Sequence, residues 1–332
     1  MRCLILGYGY MGKIRYRVLK EHPDVKEIGV YDPGIDPSKE NLGGNYLSGS
    51  DIPWNRFDVV FVCTPNNVTA ALCVKALKHC GHVFCEKPPG RSWEDLCGIA
   101  EAAEANPKHT LVFGFNHRLH PSVQAAKALI GEGGLGTILY INGTYGKSGG
   151  AKYRKSWRNQ KDIAGGGILL DQGIHMLDIF QHFLGPLLVQ GGVLFDGFWK
   201  CGVEDNAFVL LKSKEGVPAF LHSSATLWKH TFRFEMGCQN GYLAASGLLS
   251  QSGSYGREQL IVGKRQFEDE ALAQGNPREE IIYFDRDESW KQEIDEFLSA
   301  VKEGRGAVHG TLEEAKQVMA LVRDIYQKRK EG

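Results

Sequence analysis

Five short apolar runs recur through the first 118 residues, and the stretches between them have helical spacing. This alternation narrows the folds open to the chain more than any other feature. The runs are "RCLIL" (2–6), "EIGVYD" (27–32), "FDVVFVCTP" (57–65), "HVFCEKP" (82–88) and "TLVFGFNHR" (110–118). The third is nearly unbroken in apolar residues, as a strand covered by helices on both faces must be. Between the runs lie "KIRYRVLKEH", "NNVTAALCVKALKHC" and "SWEDLCGIAEAAEAN", the last with Ser92 placed as its cap. Strand–helix alternation predicts a doubly wound parallel sheet, an α/β domain over residues 1–118. In such sheets ligands lie beyond the carboxyl ends of the strands.

The first run breaks into Gly7-Tyr8-Gly9-Tyr10-Met11-Gly12 before the helical stretch begins. A strand, three glycines at this spacing and a helix form a phosphate-binding turn. Gly7 permits the tight turn, Gly9 lets backbone approach a pyrophosphate, and Gly12 lets helix pack on strand. The helix N-terminus adds free N–H groups and a positive dipole end. Asp32 closes the second run, 20 residues after Gly12. An acid there can accept both ribose hydroxyls of an adenosine and opposes a 2′-phosphate, which favours NAD over NADP. "YDPGID" is also turn chemistry, so Asp32 is consistent with simply opening a turn. Thr64, Asn66, Glu86, Lys87, Asn116 and His117 all fall at carboxyl ends of runs. Pro88 holds Lys87 in extended geometry, and the Lys87–Pro88 bond is a candidate for cis. A surface salt bridge closing the strand is the bland alternative for Glu86 and Lys87.

The remainder, 119–332, reads as an α+β domain. A helix is predicted over 121–130, a strand over 136–147 and a loop over 148–164 carrying Arg154, Trp157 and Arg158. Seven strands follow between 187 and 284, with Asn240-Gly241 as a turn, which predicts a mostly antiparallel, open-faced sheet. Two amphipathic helices close the chain, ending near 330. In "AGGGILLDQGIHMLDIF", Gly165–Gly167 permit close backbone approach to a ligand, and helical spacing runs from Ile168 to Phe183. Asp171, His175 and Asp178 stand at i, i+4 and i+7 and share a face, predicted to be a stripe lining a cleft. A capping Asp171 and a satisfied core His175 would give the same spacing. Exposed sheet faces often pair, so a homodimer or homotetramer is expected.

Composition excludes several classes. Thirty-nine basic and 39 acidic residues give zero net charge, which offers no field for nucleic acid or an anionic membrane. The basic grouping "KYRKSWR" is short and interleaved with aromatics, consistent with a small polar or anionic ligand or a solvated face. No run approaches the ~18 apolar residues of a membrane span, and no signal peptide is evident. Eight cysteines without a C-x-x-C pair fit reduced thiols in the cytoplasm. No metal site is expected.

The motifs at 7–12, "CTPN" (63–66), "EKP" (86–88), "GFNHR" (114–118) and the segment 164–180 together resemble the Gfo/Idh/MocA oxidoreductase family, in the same order and across both domains. The resemblance implies a Rossmann domain holding NAD through Gly7, Gly9, Tyr10, Met11, Gly12, Asp32, Thr64, Pro65, Asn66, Glu86, Lys87 and Asn116. It implies Lys87, Asp171 and His175 as catalytic residues. Substrate contacts are expected from these three with His117, Arg154, Trp157 and Arg158. The chemistry is hydride exchange with a secondary alcohol of a sugar, polyol or sugar nucleotide. His175 would take the hydroxyl proton, Lys87 would stabilise alkoxide character, and Asp171 would orient the imidazole or hold a neighbouring hydroxyl. Glu86 would hold Lys87 or touch the ribose. An NAD-dependent glycoside hydrolase with transient C3 oxidation, or a non-catalytic dinucleotide sensor, would use the same fold. Two positions depart from the family's pattern: Thr69 stands where His is frequent, and His117 where Arg is common.

Overall fold

Five strands of continuous apolar sequence, β1 (Arg2–Leu6), β2 (Glu27–Tyr31), β3 (Val59–Val62), β4 (His82–Cys85) and β5 (Leu111–Phe113), form one parallel sheet in the order β2-β1-β3-β4-β5. This is seen in a computed structural model that describes residues 1–40, 42–49, 51–267 and 275–328. Helices α1 (Tyr10–Glu21), α2 (Asn66–His79) and α3 (Trp93–Glu104) alternate with the strands, and Ser92 caps α3 by accepting from the Asp95 N–H. The strand order reverses between β1 and β3, the switch point at which such sheets bind ligands. Because the strands are parallel, Gly7, Asp32, Thr64, Lys87 and Asn116 follow them along one edge.

By compactness the chain forms two units. The first comprises Met1–Asn116, Asp162–Gly165 and Trp290–Met319. The expected division was a single cut after residue 118. The late segment belongs to the first unit because Ile294, Phe297 and Leu298 of the helix Ser289–Glu303 are buried in its core. There the Phe297 ring meets Phe61 and Phe84 edge-on, at 5.6 and 5.7 Å.

The second unit comprises His117–Lys161, Gly166–Ser289 and the chain from Ala320 on. Its eight strands run in the order β13-β12-β11-β10-β6-β9-β8-β7. β6 (Ile138–Gly146) pairs in parallel with β9 (Pro218–Ser224). The other pairings are antiparallel, among β7 (Leu187–Phe195), β8 (Asn206–Ser213), β10 (Thr231–Cys238), β11 (Gly241–Ser246), β12 (Glu258–Lys264) and β13 (Glu279–Phe284). One sheet face carries α4 (Pro121–Gly131) and α6 (Ile174–Leu184), while a four-residue helix α5 (Lys161–Ala164) lies in the loop after β6. Gly143 on β6 admits α6, since a Cβ there would stand 2.7 Å from the Phe180 ring and 2.8 Å from Met176. The other face of β7, β8 and β9 exposes Val193, Phe195, Phe208, Leu210 and Phe220, and cross-strand pairing sets Val193 beside Phe208 and Leu210 beside Phe220.

Two expectations for the 164–183 segment change. The helix does not run regularly from Ile168: it opens as a π turn over Leu169–Gly173 before α6. Its start is pinned where the Glu204 carboxylate accepts the N–H groups of Gly167 and Leu169 at 3.0 and 3.1 Å. With that end fixed and α6 fixed by the sheet, the wider turn takes up the mismatch. The three glycines are filled by the protein itself. Added Cβ atoms would meet the Arg91 backbone at Gly165, the Tyr326 hydroxyl at Gly166 and the Glu204 carbonyl at Gly167.

Glu258 joins β12 to the start of α4. Its carboxylate accepts the Ser122 N–H at 2.9 Å and lies 2.9 Å from His120 Nδ1. Burial pushes this carboxyl up, but the bonds from His120 and Ser122 outweigh it and leave it below its ordinary value. The unfolded chain would therefore take up this proton first as pH falls. The stability it contributes is complete above the ordinary carboxyl range and is lost as pH drops from there through the lower native value. Glu258→Gln should lower the urea midpoint at neutral pH and flatten its fall on acidification relative to the parent; parallel acid curves for the two proteins would contradict this.

Candidate functional site

The first unit supplies a dinucleotide cradle. Gly7 sits at φ +88°, a region that side chains rarely enter, and a Cβ there would also fall 2.7 Å from the Cys63 carbonyl. At Gly12 a Cβ would stand 2.0 Å from the Gly7 carbonyl oxygen, so the turn closes only around glycine. At Gly9 a Cβ would meet nothing within 4 Å. That open side is where a pyrophosphate can approach the backbone. Helix α1 starts at Tyr10 with no side-chain cap from Gly9 and no acid in its first turn, which suits its N–H groups to an anion. The residues present therefore fit a dinucleotide. Asp32 follows β2 and accepts the Tyr8 N–H at 2.7 Å through Oδ2 and the Gly34 N–H at 2.8 Å through Oδ1. It thus opens the turn and also borders the glycine loop, and each oxygen keeps a further lone pair for a ribose hydroxyl. Tyr10 is exposed and Met11 half-buried beside it.

At the tip of β4 the structure revises the reading of Glu86. Its carboxylate is buried and accepts from Arg15 Nε at 2.7 Å, and Arg15 also donates to Glu293 at 2.7 Å. The guanidinium, fully buried, packs on the rings of Phe84 and Trp290, at 4.3 and 5.0 Å. Glu86 is thus mounted on the dinucleotide helix, and Lys87 follows it, half-buried, with a cis bond to Pro88. Gly114 is tied to this arrangement, because a Cβ there would lie 3.0 Å from Glu86 Oε2. Thr64 Oγ1 is 3.1 Å from Thr69 Oγ1, so threonine at 69 serves the turn that starts α2. Asn66 follows Pro65 and donates its amide to the Ala164 carbonyl at 2.8 Å. Asn116 is buried.

The second unit gathers a separate polar cluster. His175 lies in the first turn of α6, buried, and the His117 ring stacks on it at 3.7 Å. The Tyr145 hydroxyl is 3.0 Å from His117 Nε2. Burial, with Tyr255 beside it, pushes the Tyr145 hydroxyl far above its ordinary value, so it stays neutral. Asp171 receives Lys147 Nζ at 2.5 Å and Arg158 Nε at 3.3 Å. The Arg158 guanidinium also covers the Trp157 ring at 4.5 Å. Arg154 is exposed on the turn Tyr153–Lys155. Asp178 leaves the expected stripe: it is fully buried and forked by Arg118, with two contacts of 2.6 Å.

Sequence reasoning passed over Arg15, Tyr145, Lys147 and Tyr255. A signal existed for three of them. Ile141, Gly143 and Tyr145 alternate on the buried face of β6, and the same period of two carries on to Lys147. For Arg15 the signal was its spacing from Gly12 and Leu19, both on the inner face of α1. Tyr255, whose hydroxyl accepts from the Gln172 amide at 2.8 Å, lies in an irregular loop without a pattern to follow.

Comparison with known proteins gives consistent findings. Residues 1–114 match a family described as oxidoreductase family, NAD-binding Rossmann fold, and residues 123–244 match the GFO/IDH/MocA C-terminal domain. A 2,7-anhydro-N-acetylneuraminate hydratase of Escherichia coli K12 is 29% identical over 290 residues, covering 83% of this chain and 77% of that one. A myo-inositol 2-dehydrogenase of Thermotoga maritima is 27% identical over 340 residues, covering 97% and 94%. A solved levoglucosan dehydrogenase, in complex with NADH and levoglucosan, superposes with a TM-score of 0.84 at 21% identity, covering 100% and 97%, and so shares the fold.

The glycine geometry separates two roles by experiment. Gly9→Ala should leave the melting temperature unchanged and weaken NADH binding, because its Cβ enters only the open side of the loop. Gly12→Ala should lower the melting temperature, with overpacking of this kind costing about 1–3 kcal/mol. Equal thermal stability with equal NADH affinity for both variants would contradict the assignment.

Proposed function

The chain belongs to the Gfo/Idh/MocA oxidoreductase family, and from that membership we propose that it exchanges a hydride between NAD and a secondary alcohol of a sugar, polyol or sugar nucleotide. The observation that carries the reading is Lys87 on the carboxyl edge of the Rossmann sheet, two strands from the glycine loop, or roughly 10 Å at ordinary strand spacing. Bound NAD supplies the hydride acceptor for alcohol oxidation. Lys87 donates a charged hydrogen bond to the reacting oxygen and stabilises it as its proton leaves. His175 accepts that proton, a task suited to an imidazole at neutral pH. Asp171, held by Lys147 and Arg158, accepts from a neighbouring hydroxyl, and Trp157 offers a flat face to a sugar ring. Asp32 selects NAD by accepting from the adenosine ribose. The assignment of Lys87, Asp171 and His175 to one substrate is supported by the match of all three to the family's pattern.

Glycoside hydrolysis through transient oxidation stays as the second reading, because two relatives are named hydratases, an activity without net oxidation. A dehydrogenase accumulates NADH in proportion to product, whereas the alternative releases product with none. No helix among the described residues is long and apolar enough to cross a membrane, and placement in the cytoplasm is part of the proposal.

The apolar face of β7, β8 and β9 supports self-association, since exposed patches of this kind mark interaction surfaces. Sedimentation at micromolar concentration should show a dimer or tetramer, and Phe208→Glu should shift it toward monomer; a parent protein that is monomeric throughout removes this part. For catalysis, Lys87→Met and His175→Asn should each lower kcat by about 10²–10⁴-fold. NADH affinity, followed by fluorescence, should remain. Turnover near the parent rate in either variant would remove that residue's role.

A further inference from the structure

The base proposed above has a companion that the sequence reading placed against the substrate. The His117 ring lies over His175 with centroids 3.7 Å apart and planes 26° apart. Both side chains are about 95% buried, at 5% and 4% exposure. His117 Nε2 contacts the Tyr145 hydroxyl at 3.0 Å, and the His117 ring stands 5.3 Å from that of His120. His120 is itself fixed, with Nδ1 2.9 Å from Glu258.

The other charged groups of this unit around the pair are largely balanced. Asp171, one turn before His175, is matched by Lys147 and Arg158. Asp178, one turn after it, is matched by Arg118. Tyr145, from β6, is neutral. Behind it, Tyr255 meets the ring of His230, whose proton affinity burial and Lys147 both lower. Glu258, from β12, is ionised and committed to His120 and Ser122. Among the described residues, His117 is therefore the titrating ring stacked on the proposed base, at a position where the family's pattern commonly has arginine.

We infer that His117 is a positioning residue for His175: near neutral pH the stacked pair holds at most one titrating proton, and this keeps His175 available as a proton acceptor. Two imidazolium charges 3.7 Å apart in a buried site repel strongly, so the pair gives up its protons in two separated steps rather than one. An arginine at 117 would oppose protonation of His175 at every pH, whereas His117 does so only when it carries the proton itself. The inference rests on the reading of His175 as the base, but its test does not.

The test is an NMR titration of the full-length protein with ¹³C-labelled histidine and no substrate, using His175→Asn to identify the His175 signal. In His117→Phe a flat ring remains over His175 but cannot take a proton. The His175 midpoint should rise by about one pH unit or more, a tenfold change in proton affinity or greater. The same midpoint in parent and variant overturns the inference. If His117→Phe does not fold, His117→Gln keeps a partner for Tyr145 and is read the same way. Turnover retained in His175→Asn would remove the base assignment while leaving the titration to decide the coupling.

Discussion

One guanidinium holds the cofactor side of this protein together. Arg15, on the helix that begins at the glycine loop, is fully buried between the carboxylates of Glu86 and Glu293. A buried ion pair is a poor source of net stability, because desolvation consumes much of the attraction. Its effect here is geometric. Removing either side would strand a charge in the core, so α1, the tip of β4 and the helix Ser289–Glu303 are confined to one arrangement. The rings of Phe84 and Trp290 also pack on the guanidinium, at 4.3 and 5.0 Å. The glycine loop and the backbone leading into Lys87 therefore share one support, and the opening pair of the EKP motif divides its work. Glu86 anchors, and Lys87 is the residue to which we assign the proposed chemistry.

The fold was legible because its strands obey two different burial rules. β1 to β4 are covered on both faces and read as apolar runs, while β8 and β9 alternate because one face is open. The glycine loop was legible for a steric reason, since Gly7 and Gly12 have no room for a side chain. Partnerships across long stretches of chain were not legible. Lys13, Arg15 and Arg17 look alike in "KIRYRVLKEH"; spacing sets the middle one on the face of Gly12 and Leu19, but only the fold shows that Glu86 and Glu293 receive it. Asp178 shares helical spacing with His175, yet its partner Arg118 is 60 residues away. An amphipathic helix such as Ser289–Glu303 advertises an apolar face without saying which core receives it.

In the second unit the chemistry is set by what surrounds each titrating group. Asp171 carries two cations, which suits it to hold a polar substrate group in a fixed orientation rather than to act as a free base. Tyr145 is neutral and links His117 to the cluster. The glycines before α6 serve the fold: their missing side chains make room for Tyr326 and the Glu204 backbone, and Glu204 pins the π turn that carries Asp171. The position of Asp171 thus traces back to a buried carboxylate that touches no part of the proposed chemistry.

We propose that an ammonium from the Rossmann sheet and an imidazole from α6 serve a single substrate oxygen. The most direct measurement is a crystal structure of the protein with NADH and an unreactive analogue of a confirmed substrate. Lys87 Nζ and a His175 ring nitrogen are both expected within about 3.2 Å of the same oxygen. A complex in which the two residues touch no common ligand atom would contradict it.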